Sequence, residues 1–134
     1  MAMNVTIEKQ NDGTYIAYNT DECGVSLIGT GATVSEAKDD FFNSIQETIE
    51  TCTESGISVP PALNEEPVFQ FDVSSLFEYY SMLNVSAFAR YLGINEALLR
   101  QYKKGDIYIS ESQLKRIEDG IHTLGNEFSR LKLV

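Results

Sequence analysis

The tightest constraint in this sequence is the spacing of one small residue and one glycine within Val85-Ser-Ala-Phe-Ala-Arg-Tyr-Leu-Gly-Ile-Asn-Glu-Ala-Leu-Leu-Arg-Gln-Tyr-Lys-Lys104. With Val85 as the first position of a 20-residue unit, Ala89 is the fifth and Gly93 the ninth. The fifth position is where two helices touch and only a small side chain fits, and the ninth is a tight turn that favours positive φ. Phe88, Leu92, Ile94, Leu99 and Tyr102 fall where side chains pack the first helix on the second. A plain amphipathic hairpin reproduces the apolar stripe but has no need of a small residue placed ahead of a turn glycine. The spacing therefore predicts a helix-turn-helix over 85–104.

The flanks extend that reading. Asp72-Val-Ser-Ser75 can cap a preceding helix that holds Leu76, Phe77, Tyr80 and Leu83, and Gly105 stops the second helix of the unit. Ser110-x-x-Gln113 has the spacing of a capping box, and Leu114, Ile117, Ile121, Leu124, Phe128 and Leu131 follow as one helical stripe. That stripe either closes the domain core or offers its distal part to a second chain, with Gly120 and Gly125 as places where the helix can bend. The solvent face of the second unit helix predicts Asn95, Glu96, Ala97, Arg100, Gln101 and Lys104 on view, with Lys103 beside them. Asn, Arg and Gln side chains suit base edges, and Lys103 and Lys104 suit phosphates. The plain alternative for each is a surface residue on a helix.

The first half has a different grammar. Val5 and Ile7 alternate with Thr6 and Glu8, and Asn11-Asp12-Gly13 supplies a hairpin turn into a second strand, Thr14 to Asn19. Gly24 to Gly29 reads as a third strand. Thr33 or Ser35 begins a helix of about five turns, with Thr33-x-x-Glu36 at capping-box spacing and an apolar face of Ala37, Phe41, Ile45, Ile49 and Cys52. The stretch 58–67 holds all three prolines and is either an extended linker or the lead-in to a last strand, Val68 to Phe71. The fold class that follows is α+β: a small β-β-β-α-β domain over 1–71, with 58–67 as a proline-rich connection, then an all-α helix-turn-helix domain over 72–134.

Charge divides along the same line. The net charge is −10, yet residues 1–66 carry twelve acidic and two basic side chains, while residues 67–134 carry eight of each. Six basic residues against three acidic ones lie within 85–116 alone. A chain that looks hostile to nucleic acid as a whole thus has a local basic patch in its second half. No run approaches the ~20 apolar residues of a membrane span, and the N-terminus lacks the basic-then-apolar order of a signal peptide. Cytoplasmic location is the default expectation. Cys23 and Cys52 fit neither a secreted cysteine framework nor a metal-binding spacing, although two cysteines can in principle pair.

Catalytic chemistry finds little support. Glu36, Asp39 and Asp40 form a carboxylate cluster able in principle to hold Mg²⁺, but the start of a helix favours acidic residues on its own account. His122 is the one histidine, and Gly29-Thr-Gly31 is a lone GxG rather than a phosphate loop. The expectation is a non-enzyme with no metal and no cofactor.

Two resemblances cover nearly the whole chain. Residues 85–104 with Gly105 and the capped helix after it resemble the lambda-repressor-type helix-turn-helix. Asp12-Gly13-x-Tyr15, Gly29-x-Gly31 and Thr33-x-x-Glu36-Ala37 resemble the HicB-type antitoxin domain, a partial RNase H-like fold, in the domain order of that family. The resemblance implies an antitoxin and transcriptional repressor that neutralises a small basic mRNA-cleaving HicA-type toxin and represses its own operon by binding operator DNA as a dimer or higher homo-oligomer. The sequence departs from related repressors at Val85 and Glu96, where glutamine is common, and a carboxylate at 96 either repels phosphate or accepts from a cytosine amine. The N-terminal domain also lacks the spread acidic ligands of true RNase H enzymes. The alternative is a stand-alone regulator or oligomeric adaptor with a degenerate helix-turn-helix and no toxin.

Overall fold

Strand β1, Asn4–Lys9, follows Met3 and puts Val5 and Ile7 on the same face as that residue, and all three are buried. That alternation makes it an interior strand of a four-stranded mixed sheet in a computed structural model that describes residues 2–20 and 24–134. The fold is α+β, with five α-helices among the described residues accompanying the sheet. The sheet order is β3-β2-β1-β4, where β2 is Tyr15–Asn19, β3 is Ile28–Gly31 and β4 is Val68–Phe71. β1 and β2 form an antiparallel hairpin whose turn closes with Gly13 at φ 87. Asp12 accepts from the Thr14 N–H at 2.9 Å and from its hydroxyl at 2.6 Å, fixing the turn from within. β4 returns parallel to β1, pairing Val5 with Phe69 and Ile7 with Phe71.

The third strand lies later than its expected place at 24–29. Asn19 is the reason: its side-chain N–H₂ donates to the Val25 carbonyl at 2.9 Å and its carbonyl accepts from the Leu27 N–H at 2.7 Å. Those bonds hold 25–27 as a loop, so pairing with β2 begins at Ile28. Cys23 lies outside the described residues; Cys52 is a half-buried free thiol.

Helix α1, Val34–Glu54, begins at Thr33, whose hydroxyl accepts from the Glu36 N–H at 3.1 Å. Glu36 reaches back to the Ala32 N–H at 2.7 Å, one residue before the cap. Val34, Ala37, Phe41 and Ile45 are buried against the sheet, and Ile49 is packed at the margin of the same core. The helix lies very close to β3. A Cβ on Gly29 would stand 2.7 Å from the Phe41 Cα, and one on Gly31 would stand 2.7 Å from the Ala37 backbone N. The Gly29-x-Gly31 pair is thus a seat for a helix backbone. The proline-rich stretch is also more than a tether: Pro61–Asn64 makes one 3₁₀ turn that buries Leu63 in the core.

Helix α2, Val73–Tyr79, is capped by Asp72, which accepts from the Ser75 N–H at 2.8 Å. The chain divides into two compact units after Ser81. The division therefore falls after α2, whereas the sequence suggested a boundary before it. Val73, Ser75 and Phe77 are buried, α2 packs on β1, β4 and α1, and Glu78 accepts from the Val34 N–H at 3.1 Å. Drawn at Ser81, the first unit carries fourteen acidic and two basic side chains, and Met82–Val134 carries six acidic and eight basic ones. No described helix is long and apolar enough to cross a membrane.

A methyl group at Gly29 has only backbone to push against. Gly29→Ala is expected to destabilise the first unit by about 3 kcal/mol or more, at or beyond the upper end of ordinary overpacking. Gly125 lies inside helix α5 (Glu111–Arg130), and a side chain there would meet nothing within 4 Å. Gly125→Ala should instead stabilise by up to about 1 kcal/mol. Urea titrations of the two variants against the parent check both signs.

Candidate nucleic-acid interface

Helix α3, Val85–Leu92, starts at Asn84, which accepts from the Ala87 N–H at 2.9 Å. It stops at Gly93, whose φ of 74 and ψ of 28 place it in the left-handed region where a side chain is strained. The Ile94 N–H returns to the Ala89 carbonyl at 2.9 Å, which turns the chain sharply. Asn95 then caps helix α4, Glu96–Lys104, by accepting from the Leu98 N–H at 3.1 Å. Gly105 ends α4 at φ 81. Ala89 and Leu99 are fully buried where α3 and α4 meet, with Phe88, Ile94 and Tyr102 closing round them and Leu92 half-buried. Helix α5 opens at Ser110, whose hydroxyl accepts from the Gln113 N–H at 3.3 Å.

The apolar stripe of α5 divides along its length. Ile117 is buried, Ile121 and Leu124 are half-buried, and Phe128 and Leu131 are 60% and 66% exposed. Gly120 lies within the unbroken helix and admits Leu92, whose Cδ2 would overlap a Cβ there. Nothing in the sequence placed Gly120 at the α3–α5 contact, because one glycine in a helix reads equally as a kink.

The seven residues expected to face DNA begin with Asn95 at the cap and continue as two stripes on α4. Ala97, Gln101 and Lys104 stand at helical spacing and are all exposed. Glu96, Arg100 and Lys103 form the neighbouring stripe, which leans toward α3. There the Arg100 guanidinium donates to the Ser86 hydroxyl at 2.8 Å, and the Glu96 carboxylate pairs with Arg90. Arg90, Ser86 and Arg116 were not among the expected residues. Arg116 donates to the Gly93 carbonyl at 3.3 Å and so braces the turn. Their signal was in the sequence, but it emerges only when the two helices are laid side by side, since Arg90 and Glu96 lie on opposite sides of the turn.

These contacts sort the side chains by what remains available. Asn95 has committed its carbonyl oxygen to the cap, so it cannot present oxygen and amide together to an adenine edge without opening α4. Gln101 is the exposed amide with no such commitment. Arg100 keeps most of its five N–H donors after the Ser86 bond. Glu96 is engaged by Arg90, with side-chain exposures of 38% and 66%, so its charge is partly neutralised where it stands.

Two carboxylates at the start of α1 are also occupied. Asp40 accepts from the Thr30 N–H at 2.8 Å, and Glu36 accepts from Ala32, so two members of the suspected metal cluster finish hydrogen bonding at the β3 end of the sheet. Among the described residues no His, Cys, Asp and Glu group has the arrangement of a metal site. The shallow hollow beside the hairpin turn contains Glu8, which accepts from the Tyr18 hydroxyl at 2.8 Å and thereby raises that phenol's pKa. Asp12, in the same hollow, is held below the ordinary carboxylate range by the Thr14 hydroxyl first and the Thr14 N–H second.

No protein family, curated protein or solved structure matches the chain. The site therefore stands on its own geometry.

Asn95→Ala should lower the stability of the second unit by about 1 kcal/mol, and Asn95→Ser should largely restore it, because serine also caps. Glu96→Gln should change stability by less than about 1 kcal/mol, the usual scale of an exposed ion pair. Thermal unfolding followed by circular dichroism separates the two; an Asn95→Ala variant as stable as the parent would remove the capping role.

Proposed function

We propose that this chain is a DNA-binding antitoxin and transcriptional repressor. On this reading a small α+β domain binds a small basic mRNA-cleaving toxin, and the all-α helix-turn-helix domain represses the operon that encodes both. One observation carries the reading: a basic helix–turn–helix unit, with its glycine turn and two capped helices, follows in the chain on an acidic sheet unit. The resemblance to HicB-type antitoxins in both halves, and in their order, supports the same assignment. The acidic unit steers and complements a basic protein. The protein acts without cofactor or metal and has no catalytic role of its own.

In this reading α4 is the recognition helix. Gln101 and Arg100 read base edges, Lys103 and Lys104 hold phosphates, and Asn95 and Ala97 set how closely the helix start approaches the groove. Glu96 orients Arg90 toward the backbone. A single helix-turn-helix binds weakly, so two copies pair over half-sites about one helical turn apart. The exposed Phe128 and Leu131 end of α5 supplies an apolar surface for that pairing. The internal pairing of Glu96 with Arg90 also favours a second reading, an adaptor or stand-alone regulator whose charged groups serve the fold instead of DNA.

Fluorescence anisotropy with fragments of the gene's own upstream region distinguishes the two. Arg100→Ala and Gln101→Ala should each weaken binding to one fragment by about 1–3 kcal/mol. Lys104→Ala should weaken all duplexes alike and lower the salt slope by about one. A short basic reading frame overlapping the gene would support the toxin half. Failure to bind any upstream fragment, with or without Glu96→Gln, leaves the adaptor.

A further inference from the structure

The two edges of the sheet are finished differently. At β3 two of the outward main-chain groups are taken by α1: Asp40 accepts from the Thr30 N–H, and the Ser44 hydroxyl donates to the Ile28 carbonyl at 2.8 Å. Such covering blunts an edge against further strands. At β4 the Val68 N–H donates to the Met3 carbonyl and the Asp72 N–H to the Ile7 carbonyl, so the groups facing β1 are those of Val68, Gln70 and Asp72. By the alternation of a strand, the N–H and C=O of Phe69 and Phe71 point away from the sheet. Among the described residues none hydrogen-bonds to them.

An aromatic strip runs along this open edge. Phe42 meets Phe69 at 5.9 Å between ring centroids, Phe69 meets Phe71 at 6.5 Å, and Phe71 meets Tyr79 at 5.9 Å and Tyr80 at 6.1 Å. Phe42 and Tyr80 are each 39% exposed. The ring faces already hold one cation, since the Lys38 Nζ sits 4.4 Å from the centre of Phe69 and 4.5 Å from that of Tyr79.

We propose that the β4 edge and its aromatic strip take an extended basic segment of a protein partner as a fifth strand. This rests on the reading that the acidic unit binds a basic protein, and it names the surface that does so. Main-chain pairing would run along Phe69 and Phe71, with alternate side chains of the added strand lying on the strip. Arginine or lysine there gains from the exposed faces of Phe42 and Tyr80.

Charge selects this occupant over a second copy. Glu65 and Glu66 precede β4 and Asp72 follows it, so antiparallel pairing of β4 with its own copy would set acidic ends against each other. α1 runs antiparallel to β4, which brings its C-terminal half toward the Val68 end. That half bears exposed Glu47, Glu50 and Glu54 and no basic residue in its last turn, against the preference of a helix C-terminus for cations. A basic strand relieves the first arrangement, and the acidic helix end adds to the negative field that draws it in.

The test uses the full chain, isotope-labelled, and a short capped peptide of alternating valine and arginine. Hydrogen exchange at the Phe69 and Phe71 amides should slow by at least about tenfold when the peptide is bound. Phe42→Ala and Tyr80→Ala should each weaken the peptide by about two- to fivefold. A copy of the peptide N-methylated on the pairing amides should bind poorly. The proposal is overturned if the methylated peptide binds equally well, which would mean charge alone. It is also overturned if protection arises at Phe69 and Phe71 without peptide as protein concentration rises, which would mean self-pairing. A basic toxin that binds with those two amides unchanged would remove this surface while leaving the toxin-binding reading intact. Peptide pairing without any toxin binding would do the reverse.

Discussion

The first unit depends on how closely α1 can approach β3. Gly29 and Gly31 leave room for the backbone of Ala37 and Phe41, and no other residue type fits either place without displacing the helix. Once α1 is seated there, Ala37, Phe41 and Ile45 cover the sheet and complete the core with Val5, Ile7 and Ala17. The same seating brings Asp40 and Ser44 over the outer main chain of β3. One steric allowance therefore does two things: it closes the hydrophobic layer and it finishes one edge of the sheet. The other edge has no such cover among the described residues, because α1 crosses on the β3 side.

The second unit works from an equally local constraint. Gly93 allows the left-handed residue that ends α3, and Asn95 starts α4 two residues later. A turn this short leaves Ala89 and Leu99 no choice but contact, and it brings Arg90 within reach of Glu96 and Arg100 within reach of Ser86. Fold and candidate interface share these residues. Ala97 and Gln101 lie on the outward stripe, apart from the Arg90–Glu96 and Arg100–Ser86 contacts.

Much of this was legible in the sequence, for identifiable reasons. Periodicity located β1, β2, α1 and β4, and cap chemistry at Thr33, Asp72 and Ser110 marked helix starts, because both signals act within a few residues. What escaped were effects that join distant segments. Asn19 moved the start of β3 by holding 25–27, a side chain acting on a loop that propensity alone reads as strand. α2 joined the sheet unit because it packs on β1, β4 and α1 and sets Tyr79 against that unit's core, which no local pattern reveals. Asn95 read as a base-contacting side chain, and the folded turn turns its oxygen to the helix instead. Glu96 read as a carboxylate that meets phosphate or a cytosine amine, and only that same turn shows its partner Arg90. On α4 the exposed residues were readable from helical spacing, whereas the contacts of Glu96 and Arg100 with α3 were not.

The parallel pairing of β1 with β4 also orders events in time. β1, β2, β3 and α1 follow one another in the chain and meet through near neighbours, but β4 closes on β1 across a separation of 64 residues, as between Thr6 and Gln70. Contacts that close long loops form late, since the entropy of closure comes before any reward. On a ribosome the sheet can therefore assemble three strands and seat its helix while Val68 to Phe71 has yet to emerge. In that interval the bare edge belongs to β1, with the alternating apolar strand Asn4–Lys9 open to other unfinished chains. The last strand to arrive thus protects the first one made.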